Sequence, residues 1–485
     1  MTQRWTTTAA LVATTALLVA GAAASPASAQ PATTGATTAE ADTAAAPPAA
    51  GGRTSRESQR LAVGLAAAVR DAGFDQLVDY TTVVDGVAQP ARALPNVDVA
   101  VIELDRRGHV VGAANVLYDR DSPEGHVVEL DRRTLQPQDV RFTQWRGARW
   151  DDQADWDAGP EASDVLAGPA DASKEFMVPY PASVLKVMVA YGVLSLVDEG
   201  TLELDQPVTY RPGDGEACAS EPKDDPYTLD RWLEEMTTVS DNVATCALLQ
   251  LLHDTGGIER TNAEFARLGL TTLRMEPSQP EIGNGWSSGR MTMGALDTAR
   301  LMLLVAGTKH ELWRAPDGSR VTGDTGLSRE SQDYYRSLLL DQSFHEVLST
   351  GNLCGSQDSA LGIPALVPER WLDPETGNVV TAGIDFGYDA RPCNEAAEVT
   401  FAHKTGLVTF SGNDAGIVRA LPGEDGRWYV VAVHSNAGYR FGDADQATSD
   451  PDACTGAPYV CYPRAYARLG AGVDALVEAR PRSVR

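Results

Sequence analysis

Pro181-Ala182-Ser183-Val184-Leu185-Lys186 opens an apolar stretch that continues through Val187, Met188, Val189, Tyr191, Val193, Leu194, Leu196 and Val197, with Gly200 placed as a stop. Apolar side chains on nearly every side predict a helix over 182–199 that is buried in a core rather than laid on a surface. Ser183 and Lys186, three residues apart, share one face of it. A serine hydroxyl is a weak nucleophile until a base removes its proton, and a lysine whose pKa is pulled down by burial can do so. The helix N-terminus adds partial positive charge where an oxyanion would form. Taken alone, the pair reads equally well as a capping serine and a lysine reaching for solvent.

Working outward, helical and strand periodicities are grouped rather than mixed. Upstream, Leu61, Val63, Leu65, Ala68 and Val69 repeat at helical spacing over 55–72, with Gly73 as a stop. Residues 96–104 and 109–118 are β-rich runs joined by Asp105-Arg106-Arg107-Gly108, a hairpin pattern. Downstream, 228–236 and 241–252 predict two helices closed by Gly256-Gly257, and 297–306 and 328–340 predict two more. Strand patterns return at 399–403, 407–410, 415–420 and 427–434, some of them parts of one strand, and 464–477 is helical again. This order predicts an α/β chain of the α+β kind: an antiparallel sheet formed from both termini and flanked by helices, plus a mostly helical lobe. The stretches near 119–178 and 352–398, polar or loop-like, read as insertions in one domain over 55–485.

Two further triplets join the first. Ser240-Asp241-Asn242 stands at a junction of predicted helices, and Lys404-Thr405-Gly406 lies between two β-runs. Singly, Ser240 is a helix N-cap and Lys404-Thr405-Gly406 a strand-end turn. In the order S-x-x-K, S-D-N, K-T-G the chain resembles the family of class A β-lactamases and penicillin-binding proteins over roughly residues 55–480. The resemblance implies a β-lactamase/transpeptidase-like fold and a serine hydrolase. Ser183 would be acylated, Lys186 would take its proton or tune the network that does, and Ser240 would relay a proton to the leaving nitrogen. Asn242 would hold the substrate's amide side chain, and Lys404 and Thr405 would meet its carboxylate. Gly406 and Leu407 would complete the substrate-binding strand, with the N–H groups of Ser183 and Leu407 as the oxyanion hole.

Glu276-Pro277 matches a further part of the resemblance, the loop Glu that activates the deacylating water in class A β-lactamases. Leu270 and Arg274 before it fit that loop too, and its ordinary reading is an exposed Glu among Ser, Gln, Pro and Gly. The chain departs from the family at Pro280, where an Asn helps hold the water and for which Asn284 is the available substitute. It departs again at Leu407, where the family carries a small residue, and in having no Arg behind Lys404 before Arg419. The implied activity is opening of β-lactam-type amides, on a small-molecule β-lactam or a cell-wall peptide, without a cofactor. Two other functions stand beside it. A D-alanyl-D-alanine peptidase needs the three triplets without Glu276, and a non-catalytic module of the same fold would only bind cell wall or a partner.

Composition fits an exported protein. Residues 1–29 read as a signal peptide, with Arg4, an apolar run and the small-residue site Ala27-Ser28-Ala29. Residues 30–54, rich in Ala, Thr and Pro, read as a disordered tether. A formal net charge of −27 argues against nucleic acid and anionic membranes as partners. Lys186 interrupts the apolar stretch, so no membrane span is expected, and the expected state is a monomer. The six cysteines predict three disulfides, paired as sequence neighbours: Cys218 with Cys246, Cys354 with Cys393 and Cys454 with Cys461. Neither C-x-x-C nor H-E-x-x-H occurs, so no metal site is expected.

Overall fold

The computed structural model describes residues 55–85, 87–146, 164–211, 218, 227–279, 284–345, 347–349, 351, 362–381, 384–424, 426–441 and 461–480. Ser55 accepts a hydrogen bond from Ser58 N and caps α1 (Arg56–Asp71). The hairpin of β1 (Val97–Leu104) and β2 (Val110–Asp119) follows, then β3 (Ser122–Val127). Strands β4 (Val140–Gln144), β5 (Val165–Ala167) and β6 (Lys174–Val178) form a small second sheet in which β6 runs parallel to β4. The helical lobe holds α2 (Lys186–Asp198), α3 (Leu229–Thr238), α4 (Asn242–Asp254) and α5 (Gly257–Leu268). A hairpin of β7 (Arg274–Gln279) and β8 (Asn284–Thr292) leads to α6 (Ala295–Val305) and α7 (Arg329–Leu340). The chain then returns to the main sheet as β9 (Val399–Val408), β10 (Ser411–Ala420) and β11 (Trp428–Ser435), and ends in α8 (Tyr462–Glu478).

The main sheet is antiparallel throughout, in the order β9-β10-β11-β1-β2-β3, so strands from both ends of the chain meet where β11 pairs with β1. Both of its faces are covered, which is why β1 is buried along its whole length, with Asp98 and Glu103 among otherwise apolar residues. Val99, Val101, Val431 and Val433 pack under the terminal helices with Leu61, Leu65, Val69, Leu469 and Val473. Ala100, Ile102, Val430 and Ala432 face the lobe with Val187, Met188, Leu248 and Leu301. Helix α2 runs through that second core and is buried all round, Lys186 included, as its composition predicts.

The architecture matches the expected sheet from both termini. Two of the strand patterns prove to be parts of one strand, which runs to Val408 with Lys404-Thr405-Gly406 inside it, and Thr409 and Phe410 form the turn into β10. Gly257 does not close a helix but begins α5. Glu276 sits on a strand instead of in a loop. Part of the stretch read as an insertion near 119–178 is built into the main sheet as β3, whose polar sequence suits a sheet edge. Cys218 and Cys246 are joined as expected. Cys393 and Cys461 are also disulfide-bonded, while Cys354, Cys454, Pro280 and the leader and tether lie outside the described residues. Among the described residues no helix is long and apolar enough to cross a membrane, and no group of three His, Cys, Asp or Glu side chains could hold a metal.

Candidate active site

A short 3-10 turn, Ala182–Leu185, precedes α2 and carries Ser183, which is half-buried. Ala182 is held at φ 43°, a left-handed conformation that a non-glycine residue adopts only when its surroundings impose it. Ser240, between α3 and α4, is the same kind of residue at φ 57°. Its neighbour Asp241, not Ser240, caps α4 by accepting from Ala244 N at 2.6 Å. That leaves the Ser240 hydroxyl free for other partners.

Those partners are two lysines from different elements. Lys186 Nζ lies 2.9 Å from Ser240 Oγ, 2.5 Å from Ser240 O and 2.9 Å from Asn242 Oδ1. Lys404 Nζ, reaching over from β9, donates to the same Ser240 Oγ at 3.0 Å and to Thr405 O at 3.0 Å. Burial, then the charge of Lys404, hold the Lys186 ammonium well below the ordinary lysine range, against the pull of Asp241. A neutral amine has two N–H donors and one lone pair. Its three neighbours fit that inventory: two oxygens that only accept, Ser240 O and Asn242 Oδ1, and one hydroxyl able to donate.

The strand opposite Ser183 is fitted to it. A Cβ on Gly406 would stand 2.7 Å from Ser183 N and from Pro181 O and 2.8 Å from Val184 N, so β9 approaches the 3-10 turn as closely as backbone allows. Asn413 Nδ2 on β10 donates to Gly406 O at 2.9 Å. Across a trans peptide the C=O of one residue and the N–H of the next point oppositely, so Leu407 N–H is turned from β10 toward the free edge of the sheet. Thr405 is buried beside them.

Among the described residues Glu276 forms no ion pair with either lysine. It is partly exposed on β7, and its carboxylate is ion-paired with Arg274. From the hairpin it rides on, Trp286 Nε1 donates to the OH of Tyr180, just before the Ser183 turn, at 2.6 Å, and Trp286 pairs across the strands with Pro277. Arg419 lies at the far end of β10 over the Trp428 ring. The structure therefore brings together Ser183, Lys186, Ser240, Asn242, Lys404, Thr405, Gly406 and Leu407, and pairs Glu276 with Arg274. The sequence reading passed over Asp241 as the true cap and Asn413 as the anchor of the Gly406 peptide. A capping signal for Asp241 was present in its position before an apolar run.

A sequence model of the beta-lactamase enzyme family matches residues 173–450, more than half of the chain, and the chain belongs to that family. Among solved structures it is similar to PBP-A at 20% identity, covering 64% of this chain and 85% of that one with a TM-score of 0.36. A β-lactamase from Sphaerobacter thermophilus is 16% identical over 86% of this chain and 98% of its own, with a TM-score of 0.39. One from Burkholderia vietnamiensis is 15% identical over 62% and 83%, with a TM-score of 0.37. No curated protein matches the chain.

Proposed function

We propose that the chain is an exported serine hydrolase that opens β-lactam-type amides through an ester on Ser183. The observation that carries this reading is the convergence of Lys186 and Lys404 on Ser240 Oγ, with the Lys186 pKa held down. Neutral Lys186 takes the Ser183 proton as Oγ bonds to the amide carbon, once Ser240 turns from Lys186 to the amide nitrogen and releases the lysine's lone pair. The oxygen's charge gathers on the N–H groups of Ser183 and Leu407. The C–N bond breaks as Ser240 passes its proton to nitrogen, and Lys186, carrying the proton from Ser183, restores it. Lys404 and Thr405 meet the substrate carboxylate, and Asn242 both orients Lys186 and leaves its amide N–H₂ for the acyl side chain.

Release of the ester is assigned to Glu276, which would take a proton from water as the water oxygen bonds to the ester carbon; the C–O bond to Ser183 then breaks, and the proton held by Glu276 passes to the departing Ser183 Oγ. A D-alanyl-D-alanine peptidase acting on cell-wall peptide is the second reading, favoured by the pairing of Glu276 with Arg274 and not with Lys186. Stopped-flow hydrolysis of a chromogenic cephalosporin by wild type and Glu276→Ala decides between them. Steady turnover by wild type with a burst and stall in Glu276→Ala supports the lactamase reading. A stall in both moves the assignment to the peptidase, and equal steady turnover removes Glu276 from the chemistry.

A further inference from the structure

Behind the site, on the face of β9 away from Lys404, lies a buried polar cluster that the acylation chemistry does not use. His403 stacks on Phe401 at 4.0 Å and sits over Gly416, where a Cβ would come within 2.4 Å of the His403 Cβ. Its Nδ1 donates to Asp414 Oδ1 at 2.9 Å, and the other oxygen of Asp414 accepts from Leu348 N at 3.2 Å. The His345 ring lies 4.8 Å from that of His403, and its Nε2 donates to Gln342 O at 2.8 Å. Gln342 and Ser343 in turn reach the other half of the site. Gln342 Nε2, Ser343 N and Ser343 Oγ all donate to Thr238 O, at 3.0, 2.9 and 2.8 Å.

Thr238 is the last residue of α3 and stands two residues before Ser240. A helix ends with carbonyls that lack intrahelical partners, and here one of them receives three donors from a segment whose other end grips β9 and β10. All six polar residues, Thr238, Gln342, Ser343, His345, His403 and Asp414, are buried. Among the described residues Gln342 Oε1 and His403 Nε2 have no hydrogen-bond partner, and His345 meets His403 by ring packing alone, so the cluster is held by the named bonds to Thr238, Gln342 O and Asp414 together with that contact. Buried bonds of this kind fix distances, because breaking one leaves its partner unpaired. The two ends of the cluster are the two elements that must keep Ser240 between Lys186 and Lys404.

We propose that Gln342, Ser343, His345, His403 and Asp414 form an internal strut that holds the Ser240 turn against β9, making His403 and Asp414 positioning residues for acylation. The proposal rests on Ser183 acylation for its kinetic effect, but not for its effect on Lys186. Loosening the strut lets Lys404 move away, which removes one of the two influences that depress the Lys186 pKa. That pKa should rise, and the acid limb of the acylation rate should move to higher pH.

Full-length wild type, His403→Ala, Asp414→Ala, Asp414→Asn and Ser343→Ala are compared with Tyr429→Phe, which loses a buried bond to Asp474 on α8, outside the strut. The limiting rate of labelling by a fluorescent penicillin should fall about tenfold or more in the Ala variants of His403 and Asp414, with the dissociation constant within about threefold. Asp414→Asn, which keeps one acceptor, should fall between them and wild type, and Tyr429→Phe should change melting only. Lys186, followed by NMR of ¹³Cε-labelled lysine without any substrate, should titrate at higher pH in the strut variants. Folded variants with a wild-type Lys186 titration overturn the strut, whether or not penicillin labels the protein. Absence of labelling in wild type with a shifted Lys186 titration instead overturns the proposed function and leaves the strut standing. If the Ala variants do not fold, the Lys186 titrations of Asp414→Asn and Ser343→Ala support or overturn the strut in the same way.

Discussion

Gly406→Ala adds one methyl group at the point where β9 meets the nucleophile turn. The new Cβ would lie 2.7 Å from Ser183 N and Pro181 O and 2.8 Å from Val184 N, all backbone atoms that no rotamer change can move aside. Comfortable contact needs about 3.5 Å, so strand and turn must part by about 0.8 Å. The turn is stiff, because Val184 N donates to Pro181 O at 3.1 Å, and the strand is held by Asn413 on Gly406 O. Overpacking of this kind costs about 1–3 kcal/mol of stability. The functional loss is larger, since separating the N–H groups of Ser183 and Leu407 is equivalent to losing one oxyanion donor, about 10²–10³ in rate. Time-resolved labelling by a fluorescent penicillin, with a thermal melt to verify folding, measures both. Gly406→Ala that folds and acylates within about threefold of wild type would refute the claim that this contact builds the oxyanion hole.

Lys186→Ala should slow acylation by about 10²-fold or more at neutral pH, read by the same labelling, and an unchanged rate would assign the base elsewhere. Stability should fall between pH 6.5 and pH 3, because burial pushes His345 and His434 down to about 3. In that window the unfolded chain holds protons that the native state refuses, which favours unfolding. Asp98, raised to about 6 by burial, acts oppositely: between 3.8 and 6 the native state holds the extra proton, so acidification favours the fold through this one group. Two larger histidine shifts outweigh it, so the urea midpoint should be lower at pH 4.5 than at pH 7, and a higher one would contradict the assignment.

The sequence made the main elements legible where a local rule and the tertiary fold agree. Ser55 and Thr228 cap helices as side-chain acceptors, and the apolar α2 is buried as its composition requires. The three triplets were legible as an ordered set because each consists of contiguous residues. Lys404 and Gly406 left open whether the runs on either side form one strand, since a lysine and a glycine resemble a turn. In the structure the lysine is buried by Ser240, and the glycine serves close approach to Ser183 instead of chain reversal. Strand β3 was missed because a polar edge strand carries no apolar alternation. The left-handed Ser240 and Ala182 leave no mark, since neither is a glycine. The pairing of His403 with Asp414 depends on the register of β9 with β10, which no local pattern encodes.

The central claim is that Ser183 forms an ester with a β-lactam, and intact mass spectrometry of the full chain mixed with penicillin G tests it most directly. Wild type should gain the mass of one whole penicillin molecule, the added mass should map to the peptide containing Ser183, and Ser183→Ala should gain none. An adduct on another residue, or none in wild type at any time while a fluorophosphonate also leaves Ser183 unmodified, would contradict the account.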